Sequence, residues 1–189
     1  DPESRRIRSL LTETHGIDEG QIVVSAGADE LIDLLMRIFL EPDDGLLDCP
    51  PTFGMYAFDG CLNHANVQTV PRRPDFSLNV EAIEIAVEKN RPKMMFLANP
   101  NNPTGRVFHV AEFERFLNRV SEDVIICLDE AYAEYIDDSD VPDGLTYAPY
   151  RHRMVVVRTF SKIYGMAGMR VGLLDVDVHG PSVPKLLGR

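Results

Sequence analysis

The sequence predicts an α/β fold, a largely parallel sheet with helices on its faces. Segments with apolar residues at helical spacing alternate along the chain with short apolar runs. Three of those runs, 94–98, 124–128 and 154–157, are continuous rather than alternating, as in strands buried on both faces of a sheet. The chain of 189 residues suits one domain with a real core, and 44 % hydrophobic with 26 % charged residues is an ordinary globular balance.

In chain order, residues 2–14 read as a helix ended by Gly16, and residues 21–25 as a short apolar strand. Residues 28–40 carry Leu31, Leu34, Leu35 and Ile38 at helical spacing, with Asp29 and Glu30 favouring the N-terminal end of the dipole. Residues 41–45 form a turn and 46–48 a strand. A helix over 53–63, a strand over 66–70 and a helix over 80–90 follow. The strand 94–98 connects through a helix over 110–120 to the strand 124–128, a right-handed crossover. The last of the three runs, 154–157, leads towards residues 178–189, which read as a loose tail.

Composition removes several function classes. The longest apolar segment, 31–40, is interrupted by Asp33 and Arg37, which argues against a transmembrane helix. No apolar stretch follows the first six residues as a signal peptide would, and the first residue, Asp1, suggests a piece from the middle of a longer protein. A net charge of −11 speaks against nucleic acid, whose phosphates would be repelled. The three cysteines, Cys49, Cys61 and Cys127, read as free thiols in a reducing compartment, and no histidine pair has metal-ligand spacing.

In open α/β sheets ligands sit at the carboxyl ends of the strands, and the polar motifs lie there. Asn99-Pro100-Asn101-Asn102-Pro103-Thr104-Gly105 follows the first run, Asp129-Glu130-Ala131-Tyr132 the second, and Arg158-Thr159-Phe160-Ser161-Lys162 the third. Lys162, near the end of a buried strand, could serve as a Schiff-base amine; taken singly it reads rather as a lysine that reaches solvent. Asp129, closing an apolar run, must find a cation or several donors to stay ionised. Asn102 and Tyr132 each offer a hydrogen bond, although Asn102 lies in a turn-forming run and Tyr132 could be packing. The junction Ser25-Ala26-Gly27-Ala28-Asp29-Glu30 links a strand to a helix whose N-terminus suits a phosphate. Thr159, Ser161 and Arg170 could complete that cup, and Phe53 could stack on a flat ring.

The ordered set SAGADELIDLL, CPPTFGMY, ANPNNPTG, LDEAYAEY and RTFSKIYGMAGMRVG, spanning residues 25–172, resembles the fold-type I pyridoxal-phosphate aminotransferases, and within them the histidinol-phosphate branch. The resemblance implies a three-layer αβα sandwich with a seven-stranded, mostly parallel sheet. It implies that Lys162 bonds the cofactor pyridoxal 5′-phosphate and moves a proton, and that Asp129 pairs with the ring nitrogen. Asn102 and Tyr132 would contact the phenolic oxygen, and Phe53 would stack on the ring. Ala28, Asp29, Ser161 and Arg170, less securely Thr159, would hold the phosphate. The reaction implied is transamination between histidinol phosphate and 2-oxoglutarate, giving imidazole-acetol phosphate and L-glutamate. The partners implied are a small-molecule amino donor, a 2-oxo acid and a second copy of the chain, with no nucleic acid and no membrane. The compartment implied is the cytoplasm, or an organelle stroma if a transit peptide precedes the segment.

Two departures limit that resemblance. The Tyr that precedes Asp-Pro-Glu in the family is not in this sequence, and after Gly172 the sequence drifts from the family pattern. The expected division is therefore a cofactor-binding large domain over 1–177, without the small C-terminal domain that clamps the substrate carboxylate. Such a chain is expected to transaminate poorly alone. Two other readings stand beside the first: a truncated, non-catalytic partner of a full-length subunit, and a related enzyme, such as an aminotransferase for aromatic amino acids.

Overall fold

The computed structural model of the chain describes residue 1 and residues 3–151, 153–169 and 172–177. Seven strands form one sheet: β1 (Ile22–Ser25), β2 (Gly45–Asp48), β3 (Asn66–Thr69), β4 (Met94–Ala98), β5 (Ile125–Asp129), β6 (Met154–Thr159) and β7 (Gly172–Asp177). Their order across the sheet is β1-β7-β6-β5-β4-β2-β3. β3, β2, β4, β5 and β6 are parallel, and β7 runs antiparallel to both its neighbours, β6 and β1.

The helices are α1 (Arg5–His15), α2 (Ala28–Phe39), α3 (Met55–Leu62), α4 (Val80–Asn90), α5 (Val110–Leu117) and the short α6 (Gly144–Tyr147). Local signals set their ends. Gly16 takes φ 70° and returns its N–H to the Thr12 carbonyl, which stops α1. The Asn79 side chain accepts from the Ala82 N–H at the start of α4.

The pleat divides the core into two halves. On one face Leu47, Met95, Leu97, Ile126, Leu128 and Val156 pack with Val80, Ile83 and Val87 of α4 and Phe113 and Phe116 of α5. On the other, Leu46, Met94, Phe96, Ile125, Cys127 and Val157 pack with Leu31, Ile32, Leu35 and Met36 of α2 and Tyr56 of α3. The result is the three-layer αβα sandwich, with the continuous runs buried on both sides as their composition requires. No helix among the described residues is long and apolar enough to cross a membrane.

The differences from the sequence reading are local, apart from one strand. The first helix begins at Arg5 and runs to His15; Gln21 belongs to a 3-10 turn, Glu19–Gln21, ahead of β1. The helix expected from 53 starts at Met55, and the one expected to reach 120 ends at Leu117. Residues 172–177, where the pattern seemed only to drift, form β7 between β6 and β1. Residues 178–189, expected as a loose tail, lie outside the described residues.

Candidate active site

The carboxyl ends of β1, β4, β5 and β6 open on one cavity of about 410 Å³. Ala28 and Asp29 line it from α2, and Phe53 from the turn before α3. Asn102 lines it from the loop after β4, and Asp129 and Tyr132 from the end of β5 and beyond. Thr159, Ser161 and Lys162 close it from the end of β6. Every residue singled out in the sequence thus reaches this space except Arg170, which lies outside the described residues. A second cavity, of about 520 Å³, shares Pro100, Asn102 and Tyr132 with the first.

Asp129 is the buried charge of the site, 7 % exposed. It stands on the α2–α3 face of β5, in register with Ile125 and Cys127. Its Oδ2 accepts from the Tyr56 hydroxyl at 2.5 Å and its Oδ1 from the Ala131 N–H at 2.9 Å. Burial pushes its carboxyl above the usual range, against the opposing pull of those two donors. Asp29 adds to the rise and Lys162 opposes it.

At the start of α2, Gly27 sits at φ 101°, a conformation that favours glycine. The Glu30 carboxylate accepts from the Ala26 N–H at 2.5 Å, and the Ser25 hydroxyl donates to the Gly27 carbonyl at 2.8 Å. These bonds fix the strand-to-helix turn ahead of the first N–H groups of α2, which have no partner within the helix. Opposite, the Thr159 hydroxyl donates to Ser161 Oγ at 2.9 Å, and the Ser161 N–H donates to Thr159 Oγ1 at 3.1 Å.

The loop after β4 is tied down by Asn101 rather than Asn102. Asn101 Nδ2 donates to the Pro51 carbonyl at 3.0 Å and to Thr104 Oγ1 at 2.8 Å. Its Oδ1 accepts from the Thr52 hydroxyl at 2.8 Å. One buried side chain therefore joins the loop carrying Asn102 to the turn carrying Phe53.

Lys162 is exposed, three residues past the end of β6, as the reading of a lysine that reaches solvent allowed. Its Nζ lies 5.2 Å from the centroid of the Tyr132 ring. The chain turns directly after Thr159, and Lys162 lines the cavity from beyond that turn.

Behind the cavity, on the opposite face of the sheet, Glu130 is 1 % exposed. Its Oε2 accepts from Arg158 Nε at 2.9 Å and Nη2 at 2.7 Å, while its Oε1 accepts from the Gly144 N–H at 2.7 Å. Arg158 Nη2 also pairs with Asp143 at 2.7 Å. Burial raises the Glu130 carboxyl to about 7. Sequence reasoning passed over Tyr56, Asn101, Glu130 and Arg158. Glu130 and Arg158 carried a usable signal, as charged residues just past buried apolar runs.

Comparison with known proteins gives the same picture. The model of the family Aminotransferase class I and II matches residues 4–178. The chain is 45 % identical over 172 residues to the chloroplastic histidinol-phosphate aminotransferase 1 of Arabidopsis thaliana, covering 91 % of this chain and 40 % of that protein. It is 44 % identical over 172 residues to the histidinol-phosphate aminotransferase of Roseiflexus castenholzii, covering 44 % of it. The solved histidinol-phosphate aminotransferase of Sinorhizobium meliloti, in complex with pyridoxal-5′-phosphate, superposes with a TM-score of 0.85 at 26 % identity, over 93 % of this chain and 47 % of that one. The chain therefore spans less than half the length of these relatives. With the family model matched along nearly its whole length and the motifs gathered at one set of strand ends, the chain belongs to the class I and II aminotransferases.

Proposed function

We propose that this chain is the cofactor-holding part of an aminotransferase that uses pyridoxal 5′-phosphate to move an amino group between histidinol phosphate and 2-oxoglutarate. The observation that carries the reading is one 410 Å³ cavity lined by an amine, a buried carboxylate, an aromatic ring and a helix N-terminus together. The residues fit that cofactor chemically. Asp129, buried with its carboxyl pushed up, is suited to a cationic ring nitrogen, which would hold it ionised. The α2 N-terminus and the Ser161 hydroxyl suit a phosphate, and Phe53 offers a flat face for the ring. Asn102 and Tyr132 line the same cavity and carry donors that a phenolic oxygen would accept from.

When bound, pyridoxal 5′-phosphate supplies an aldehyde carbon and a ring that takes up an electron pair. The chain's own residues do the rest. Lys162 Nζ would provide the amine that holds the cofactor and, once displaced by the substrate's amino group, would take the proton from the substrate α-carbon and deliver it to the cofactor's aldehyde-derived carbon. Asp129 holds the proton on the ring nitrogen. In this reading residues 1–177 form the large domain, the group that clamps the substrate carboxylate comes from outside residues 1–189, and two copies make the working unit. The preference for histidinol phosphate rests on the identity to relatives of that name, and a cytoplasmic or stromal setting on their bacterial and chloroplastic origin.

The test is covalent capture. Incubation with pyridoxal 5′-phosphate, borohydride reduction and peptide mapping are expected to place the pyridoxyl group on Lys162, and Lys162→Ala to lose it. A folded chain with no label at Lys162 overturns the proposal.

A further inference from the structure

The Tyr56 hydroxyl is the one polar group on α3 that reaches into the charged centre of the site. Tyr56 is fully buried, at 0 % exposure. Its ring stacks on Phe96 of β4 with centroids 4.8 Å apart and an interplanar angle of 14°, and meets Phe53 edge-on at 5.5 Å. A phenol held this tightly cannot swing away, and a buried hydroxyl without a partner would be costly. Its partner is Asp129 Oδ2 at 2.5 Å, so the two Asp129 oxygens are each claimed by one donor, Tyr56 on Oδ2 and the Ala131 N–H on Oδ1. Two donors on two oxygens define the plane of the carboxylate, and a hydrogen bond to the charged form makes it less basic.

We propose that Tyr56 is a positioning residue of the site: its hydroxyl fixes the plane of the Asp129 carboxylate and weakens its hold on a proton, so that it stays anionic to meet a cationic ring nitrogen. The inference rests on the cofactor reading given above, but its geometry belongs to this chain alone. Other groups face the same carboxylate. Asp29 from α2 and Cys127 on β5 are the acidic neighbours, Lys162 is the basic one, and Asp48 of β2 acts on Tyr56 itself. Of these, only Tyr56 combines hydrogen-bond contact with a ring locked on both sides. Removing its oxygen leaves the ring packing in place and takes away one donor.

The experiment uses the 189-residue chain free of cofactor. Carboxyl carbons of the aspartates are labelled with ¹³C, Asp129 is assigned with Asp129→Asn, and its titration is followed by NMR in the parent and in Tyr56→Phe. Loss of a hydrogen bond to a charged group is expected to raise the Asp129 midpoint by about 1–2 pH units. A role in packing alone would leave it in place, so an unchanged or lowered midpoint in folded Tyr56→Phe overturns the proposal. If Tyr56→Phe does not fold, replacing tyrosine by 3-fluorotyrosine, a stronger donor, is expected to lower the midpoint, and a midpoint that stays or rises overturns it. Because no cofactor is present, a failure here is separate from a failure to label Lys162.

Discussion

Asn101 holds two loops at once, and at the scale of single residues it is the clearest case of a side chain whose worth lies in whom it joins. Asn101→Ala removes the bonds of a buried side chain to Thr52, Pro51 and Thr104 and unties the two loops. A loss of about 1–3 kcal/mol is expected, read as a lower denaturant midpoint with an unchanged slope. An unchanged midpoint would show that water replaces all three bonds. The same comparison marks what the sequence disclosed. Asp129, Asn102 and Tyr132 were singled out because they lie just past buried apolar runs, at the strand ends where ligands of open α/β sheets sit. Tyr56 and Asn101 were not, because each is defined by a distant partner: Asp129 is 73 positions from Tyr56, and Thr52 is 49 from Asn101. Lys162 is exposed, as its reading as a single residue allowed, because the strand ends three residues before it.

At the scale of elements, α6 shows how closely a connection is fitted to the sheet. Gly144 opens it and lies against β5 and β6, where an added Cβ would stand 2.6 Å from Leu128 Cδ2, 2.9 Å from Glu130 Oε1 and 2.9 Å from Val156 Cγ2. Glu130 cannot yield easily, because Arg158 and the Gly144 N–H hold both its oxygens. Gly144→Ala is therefore expected to cost about 1–3 kcal/mol through overpacking, visible as a drop in melting temperature. A variant that melts with the parent would mean that α6 shifts freely. Elements with their own periodicity were readable in advance: α4 and β4 lie where the pattern put them. The Asp129 strand was shifted by one residue, because β5 includes the carboxylate itself. β7 escaped because its acidic residues, Asp175 and Asp177, break the continuous apolar run that betrayed its neighbours.

At the scale of the whole molecule, buried carboxylates and a net charge of −11 act in the same direction. Burial raises Asp48, Asp59, Asp129 and Glu130, the last to about 7 from an ordinary value of 4.5. A carboxyl raised in the folded state binds more protons there than in the unfolded chain. Its contribution is complete below the ordinary value and is lost as pH climbs through about 7. His15, lowered by burial, pulls the other way over a single group. Thermal stability is expected to fall by a few degrees between about pH 5 and about pH 8, and the fall to be shallower in Glu130→Gln. A melting temperature level or rising over that range would contradict this.

The antiparallel β7 has a further effect, on the order in which the molecule can be made. β1 touches the sheet only through β7, and β7 is the last described strand of the chain. Among the described strands, β1 therefore has no sheet partner until β7 has been synthesised. The cavity-lining turn at Ser25 to Gly27 waits with it, so that its position against the rest of the cavity is set only when β1 and β7 meet.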